Sequence, residues 1–368
     1  MRKILTIMLF IITSITVLIL GFINISPEFG SNPTKKEKET FGKFDNYQKG
    51  EFENKEETKM MTGEMPISEF FKKDTLRSPQ YDLKPNKIDL KTFIKTSTDS
   101  TIKFAWLGHS AFILNINGKI ILLDPMLGKY AAPLPLPSLK RYSSEIAFPI
   151  DSLEEVDAVL ISHDHYDHLD YSTIKKLKNK VKMFYVPLGI GSHLRKWGVE
   201  EKNIIEMNWD QSMKLDNIDI VCLPARHFSG RGPMNRNSTL WCSWALNSNS
   251  GKIYFSGDSG FGFHFYSIGK KYGPFDLAFI DCGQYNEAWK YSHMFPEQGV
   301  QASQALGAKY FMPIHWGSFT LSTHAWYEPI ERALSKSKEV GQKIIAPQIG
   351  EVMSIHDLEK DKKKWWAQ

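Results

Sequence analysis

The sequence predicts an α/β fold in which layered sheets pack as a sandwich, behind one membrane-crossing helix at the N-terminus. Three observations support this. From about Thr101 onward, apolar strand-like runs alternate with short helical stretches, and they fall into two strand-rich halves. The segment before residue 26 is an apolar block, charged only at Arg2 and Lys3. With 368 residues, 42% hydrophobic and 13% aromatic, the chain can fill one large core even when a tail is set aside.

Read in order, the first element follows Met1-Arg2-Lys3 and runs uncharged from Ile4 to about Ile25. At ~1.5 Å per helical residue it can cross a ~30 Å hydrocarbon layer. A cleavable signal peptide is the alternative, but its apolar region is only about 7–15 residues long and ends in a small-x-small site. LILGFIN, Leu18 to Asn24, offers no such site, so residues 1–25 read as an uncleaved anchor. Basic residues at the extreme N-terminus keep that end in the cytoplasm and send the remainder to the extracytoplasmic face, a signal blunted by Lys35, Lys36 and Lys38. No cysteine lies near the end of the run to suggest a lipoprotein. Residues 26–100 turn to Lys, Glu, Asn, Pro and Gly, too polar to bury a face, and read as a polar linker plus an N-terminal arm able to pack on the domain.

Residues 101–368 carry the globular pattern. IKFAWLG, AFILNING and KIILLDP read as strands, and APLPLPSLKRY as a loop whose prolines exclude a helix. Strand VDAVLIS, helix DYSTIKKLKN, strand KMFYVPL, a helical SHLRKWG and strand NIIEMN follow. Strands DIVCLPA, TLWCSWALN, KIYFSG, DLAFID and KYFMPIH complete the pattern, with helix PEQGVQASQALG between the last two.

Charge and cysteines narrow the functional classes. A net charge of +5 with lysines and arginines interspersed among acids gives no strip for nucleic acid, while an anionic substrate or lipid surface remains compatible. Cys222, Cys242 and Cys282 lie in apolar or aromatic surroundings and read as buried free thiols.

The chemistry is concentrated in DAVLISHDHYDHLD, an apolar strand that empties into His163-x-His165-x-Asp167-His168. A strand end followed by a turn splays neighbouring side chains, so alternating histidines can face one cation while the later Asp and His face another. Such groups are expensive to desolvate together unless a cation uses them. Asp164 lies off the ligand side by alternation and is expected to have a supporting or surface role.

Together with AWLGHSAF, LLDPM, PARHFSGRG, NSTLWCSWAL, FSGDSGFG, GPFDLAFI, KYSHMFPEQGV and PIHWGSF, in that order, this stretch resembles the metallo-β-lactamase superfamily. Within it, the chain is similar to the N-acyl phosphatidylethanolamine-hydrolysing phospholipase D group and its bacterial relatives, from about Phe104 to Glu351. The resemblance implies a four-layer αββα sandwich and two divalent metal ions. His163, His165 and His227 would hold one; Asp167, His168 and His315 the other; Asp258 would bridge them. Independently of the family, His227, Asp258 and His315 each follow an apolar strand, which places them on one rim. Ligands of His and Asp type suit zinc first, with iron or manganese possible. Such a pair activates one water for attack, with Asp167 as a catalytic ligand.

His293 in KYSHMFP matches a family segment that brings a histidine near the reacting group, where it could stabilise charge or protonate a leaving oxygen; a capping role is its plain alternative. His109 in LGHSAF is expected at the metal rim, Arg231 in HFSGRGPM at a substrate phosphate and Tyr285 in the aromatic pocket wall, all as substrate-binding candidates. His193, His264, His324 and His356 read as surface residues without a role. The resulting expectation is a membrane-anchored metal-dependent hydrolase of phospholipid phosphodiesters or another small phosphodiester. The alternatives are a lactonase or esterase with a soluble, sugar-phosphate-like substrate, and a tethered binding protein without turnover, whose mark would be a missing ligand.

Overall fold

A computed structural model of the chain describes residues 2–66, 68–72, 74–95, 101–359 and 364–367. The first element is helix α1 (Arg2–Ile25). Among the described residues it is the one helix long and apolar enough to cross a membrane, over Lys3–Ile25. Pro27 stops it: Ser26, held before a proline, is extended at φ −66° and ψ 123°.

The arm differs from its composition. Helix α2 (Lys35–Phe41) opens with a capping box in which Thr34 and Glu37 satisfy each other's backbone N–H. A ribbon of β1 (Tyr47–Gln48) and β2 (Glu51–Phe52) follows. Phe41, Tyr47 and Phe52 are buried in the main core, with ring centroids 4.8–5.6 Å apart. The segment has no continuous apolar face, and it is three well-spaced aromatics that seat this part of the arm on the domain. Beyond α3 (Ser68–Phe71), helix α4 (Leu90–Lys95) places Leu90 and Phe93 in a second core cluster. The expected boundary after residue 100 falls beside 96–100, outside the described residues.

The domain begins with β3 (Ile102–Trp106), β4 (Phe112–Ile116), β5 (Lys119–Leu123) and β6 (Val156–Leu160). Helix α5 (Tyr171–Leu177), β7 (Val181–Pro187), α6 (Gly191–Lys196) and β8 (Ile204–Met207) complete the first half. The second half holds β9 (Ser212–Leu215), β10 (Ile218–Leu223), β11 (Ser243–Ser248) and β12 (Gly251–Phe255). It continues through α7 (His264–Tyr272), β13 (Leu277–Asp281), α8 (Pro296–Ala305) and β14 (Tyr310–Ile314). Helix α9 (Glu328–Val340), β15 (Lys343–Ile344) and β16 (Val352–Ser354) end it. The helices α7 and α9 were not anticipated, because an aromatic run and a charged run hid their periodicity.

These strands form two seven-stranded sheets, ordered β16-β3-β4-β5-β6-β7-β8 and β15-β14-β13-β12-β11-β10-β9. Alternation assigns the faces: Phe112 and Leu114, Ile121 and Leu123, Ile253 and Phe255, and Leu277 and Phe279 fill the space between the sheets. The opposite residues, Ile113, Leu122, Tyr254 and Ala278, face outward onto helices. One outer face is covered by α4, α5 and α6, the other by α7, α8 and α9. The fold is therefore the four-layer αββα sandwich that the sequence resemblance implied.

Strand direction positions the site. In the first sheet β3, β5 and β6 run the same way, since β4 is antiparallel to both its neighbours and β5 pairs parallel with β6. In the second, β10, β12, β13 and β14 share a direction by the same reasoning. Their carboxyl ends deliver loops to one rim.

If the arm is part of the core, Phe52→Ala should lower unfolding free energy by about 3–5 kcal/mol, as for other buried aromatics. Urea denaturation of the detergent-solubilised full chain measures this; a loss within ±0.5 kcal/mol, typical of surface sites, would place Phe52 outside the cooperative unit.

Candidate metal centre

Seven strand ends supply the rim: His109 follows β3, Asp124 follows β5, His163 to His168 follow β6, His227 follows β10, Asp258 follows β12, Asp281 closes β13 and His315 follows β14. Most of these imidazoles have one ring nitrogen held by the fold and the other aimed at a common centre. Asp124 Oδ2 lies 2.7 Å from His168 Nδ1, Ser162 Oγ lies 2.9 Å from His163 Nδ1, and the Ser292 carbonyl accepts from His227 Nδ1 at 2.9 Å. Such partners fix ring orientation and tautomer before any cation arrives.

The inward atoms form two neighbouring groups that could each hold a metal ion: His163, His165, His227 and Asp258, and His109, Asp167, His168 and His315. Asp258 stands between them. Its Oδ2 is 3.6 Å from His163 Nε2, 3.7 Å from His227 Nε2 and 3.2 Å from His315 Nε2, while Oδ1 is 3.1 Å from His168 Nε2. Asp167 Oδ2 lies 2.8 Å from His109 Nε2 and 3.0 Å from His315 Nε2.

The donor set fits cations on its own chemistry. His163 Nε2 and His227 Nε2 lie 2.9 and 3.2 Å from the same atom, His165 Nδ1. Their other nitrogens are already tied to structural partners, so three lone-pair-bearing atoms converge. His168 Nε2 and Asp258 Oδ1 are buried 3.1 Å from each other without forming a well-aligned hydrogen bond, an arrangement that is costly unless a ligand uses it.

Electrostatics agree. Burial alone would lower His315, but Asp258 and Asp281 outweigh it and push its pKa up to about 10. His168 is likewise raised well above the usual imidazole range, with burial opposing and Asp258 and Asp167 prevailing. Burial opposes ionisation of Asp167, yet the His168 charge and bonds from His109, His168 and His315 hold its carboxyl well below the usual range. His163 and His227 move the other way, chiefly through burial, and stay neutral as ligands must. Without a cation, the carboxylates keep positive charge on imidazoles instead.

The backbone is strained at the same place. His109, Asp124 and His315 adopt positive φ, at 54°, 36° and 69°. Main-chain bonds from His109 N to the Trp316 carbonyl and from His315 N to the His109 carbonyl, both 3.1 Å, join the end of β3 to the end of β14 across the two sheets.

A family model described as a beta-lactamase superfamily domain matches residues 119–316, which span β5 through His315 and Trp316. The chain belongs to the beta-lactamase superfamily. As a metallo-hydrolase of this superfamily it is 41% identical over 256 residues to an uncharacterized protein of Mycobacterium tuberculosis, covering 68% of each chain. It is 33% identical over 249 residues to the N-acyl-phosphatidylethanolamine-hydrolyzing phospholipase D 1 of Caenorhabditis elegans, covering 64% of this chain and 69% of that one. Among solved structures, a metallo hydrolase from Ignicoccus hospitalis superposes with a TM-score of 0.51 at 22% identity, over 69% of this chain and 98% of that one.

Beside the histidine motif a cavity of about 290 Å³ opens, lined by His165, Asp167, Asp258, His293 and His315 together with Gln284, Ser292 and Arg236 and the apolar Met60, Met61, Phe228, Trp289 and Leu321. His293 lines it, with Nδ1 2.9 Å from Asp281 Oδ2 and its ring stacked on His315 at 4.9 Å between centroids.

Three expected substrate contacts are corrected. Arg231 is buried and its guanidinium is spent on backbone carbonyls of Glu28, Asp164 and Leu169, so no fork remains for a phosphate. Tyr285 is buried and does not line the cavity, its hydroxyl donating to Glu328 and its ring stacked on His324. His109 is wholly buried against Asp167 and belongs with the metal-ligating cluster. Asp164 is buried under the loop, accepting from Gly230 N at 2.7 Å and Thr239 Oγ1 at 3.0 Å. His193 and His264, expected at the surface, are buried; His193 Nε2 faces Asp164 Oδ2 at 3.3 Å and His264 Nε2 faces Ser259 Oγ at 3.2 Å. His324 is partly buried, and His356 is exposed as expected. The three cysteines are buried and free.

Asp124 and Asp281 were missed, although each is a lone aspartate closing an apolar strand, the same signal that marked Asp258. Asn54, which accepts from His227 N at 3.0 Å and donates to its carbonyl at 2.8 Å, had no sequence signal, since nothing in the polar arm marks one residue out as a partner of the site.

Two outcomes follow from this geometry. Divalent cation uptake by metal-free chain at pH 7 should release protons, because His168 and His315 hold them. Calorimetry in buffers of differing ionisation enthalpy reads this, and buffer-independent heats would contradict it. Asp124→Ala should weaken cation binding by about 10–100-fold, as expected for removing an orienting partner; competition with a chromophoric chelator measures it.

Proposed function

We propose that this chain is a two-metal hydrolase, with zinc the first choice, that cleaves phosphodiester bonds of membrane phospholipids. The observation that carries the reading is the cavity itself. Its lining joins the imidazole and carboxylate cluster to apolar residues, Met60, Met61, Phe228, Trp289 and Leu321, and includes the exposed Arg236, whose guanidinium is 4.8 Å from the Phe228 ring centroid. That combination suits a substrate with an anionic centre and an apolar body. Its volume of about 290 Å³ lies at the low end for ligand pockets, roughly 300–1,000 Å³, so it accommodates a headgroup and the first chain carbons, leaving acyl chains outside. Similarity to the Caenorhabditis elegans phospholipase and an apolar helix of membrane-crossing length support the same reading. In it, α1 anchors the domain on the extracytoplasmic face.

His163, His165 and His227 would hold one cation, Asp167, His168 and His315 the other, and Asp258 both. When bound, such a pair supplies an acidified water and neutralises charge on phosphoryl oxygens. The chain's own residues do the rest. Arg236 pairs with the anionic phosphodiester at the cavity edge. His293, tied to Asp281 through Nδ1, keeps Nε2 for the leaving group: as the bond from phosphorus to the alcohol oxygen breaks, a proton at Nε2 passes to that oxygen. Apolar residues at positions 60, 61, 228, 289 and 321 give the substrate's apolar portion a surface to pack on.

A second reading, hydrolysis of a soluble ester or lactone, draws on the same small volume. Incubating the full chain with N-acylated and ordinary phosphatidylethanolamine, a generic phosphodiester and a lactone panel, with products identified by mass, separates the two. Phosphatidic acid and the free amide alcohol are expected; turnover of lactones with every phospholipid intact would reject the lipid reading. Asp167→Asn should lower kcat at least about a hundredfold, and an unchanged rate would end the hydrolase assignment to this cluster. Arg236→Ala should raise KM with little change in kcat, as removal of a ground-state contact does.

A further inference from the structure

The segment after the anchor is built into the loop that carries the histidine motif. Arg231 is 1% exposed, and its Nη1 donates to the carbonyls of Asp164 and Leu169, both at 2.7 Å. Those two carbonyls bracket His165, Asp167 and His168, so one rigid guanidinium grips both ends of the ligand turn. Its other edge donates from Nε and Nη2 to the carbonyl of Glu28, at 2.9 and 2.7 Å.

Glu28 lies in a turn that the domain holds at further points. Trp197 Nε1 donates to the Pro27 carbonyl at 2.8 Å, and Ser31 N donates to His193 Nδ1 at 3.0 Å, with His193 in turn facing the buried Asp164. Phe29 packs edge-on against Tyr166 within the motif, and Phe22 of α1 packs edge-on against Phe29. Gly30 makes the close approach possible: its φ is +64° and a Cβ there would lie 2.1 Å from His193 Nδ1.

We propose that Pro27–Ser31, clamped by Arg231, is a positioning element of the metal centre, so that the residues leaving the membrane helix set the geometry of the ligand turn. The inference rests on the cation reading of the cluster and adds Arg231 and the turn as residues that act through His165, Asp167 and His168. Removing the turn strands two buried donors of a charged group, and the ligand turn must shift to resolve them.

The test uses the full chain in detergent micelles with Zn²⁺ alone as probe, in competition with a chromophoric chelator below the melting temperature of every variant. Arg231→Lys keeps the charge but loses the fork; Gly30→Val sets a side chain against the His193 ring and so displaces the turn while leaving Arg231 itself unchanged. Each should weaken Zn²⁺ binding at least about tenfold and shrink the Zn²⁺-dependent rise in melting temperature. A Gly-Ser insertion between Ile25 and Ser26 leaves the turn seated and should change neither. Wild-type affinity in either substituted chain overturns the proposal, as does an equal loss in the insertion chain, which would assign the effect to the anchor. A wild-type chain that takes up no Zn²⁺ removes the cation reading, and the inference with it.

Discussion

The cost of burying carboxylates among imidazoles organises this molecule. Asp124, Asp167, Asp258 and Asp281 lie within reach of seven histidine rings at one end of the sandwich. Charges of this kind are tolerated away from water only when paired, hydrogen-bonded or bound to a cation. The raised His168 and His315 and the depressed Asp167 are two sides of that constraint, and outer partners such as Ser162, Ser292 and Asn54 keep the rings from escaping it.

The sandwich makes such a concentration affordable. Strands with apolar side chains on both faces bury three layers of contacts, one between the sheets and one under each helix layer, and the carboxyl ends of β3, β5, β6, β10, β12, β13 and β14 gather polar groups at one rim. Stability is built along the strands, and function is confined to where they stop. The outermost strand of one sheet, β16, comes from the C-terminal region, and Trp365 stacks on Trp316 next to His315, so the last described residues also brace the rim.

The sequence made the fold and much of the ligand cluster legible because both rest on short-range pattern. Alternation marks the strands, and a motif with four candidate ligands in six residues is improbable without a shared use. What it hid depended on distance in the chain. Arg231 looked like a phosphate contact because its glycine-rich surroundings read as an open loop; only the fold shows Glu28, two hundred residues earlier, beneath it. Which residues seat the arm was hidden because Phe41, Tyr47 and Phe52 are diluted among charges. Asp124 and Asp281 were within reach of the strand-end rule and were passed over because their partners, His168, His293 and His315, lie far away in sequence.

The main-chain bridge between His109 and the His315–Trp316 pair has a mechanical consequence. Two stacked sheets held only by apolar side chains can slide, because dispersion contacts are exchanged for similar ones with little directional resistance. A pair of directional bonds at one edge acts as a weld there. A third main-chain bond at the same rim, from Cys242 N to the Ser162 carbonyl at 2.9 Å, adds to the weld, so relative sliding of the layers is resisted directly beside the candidate ligand cluster.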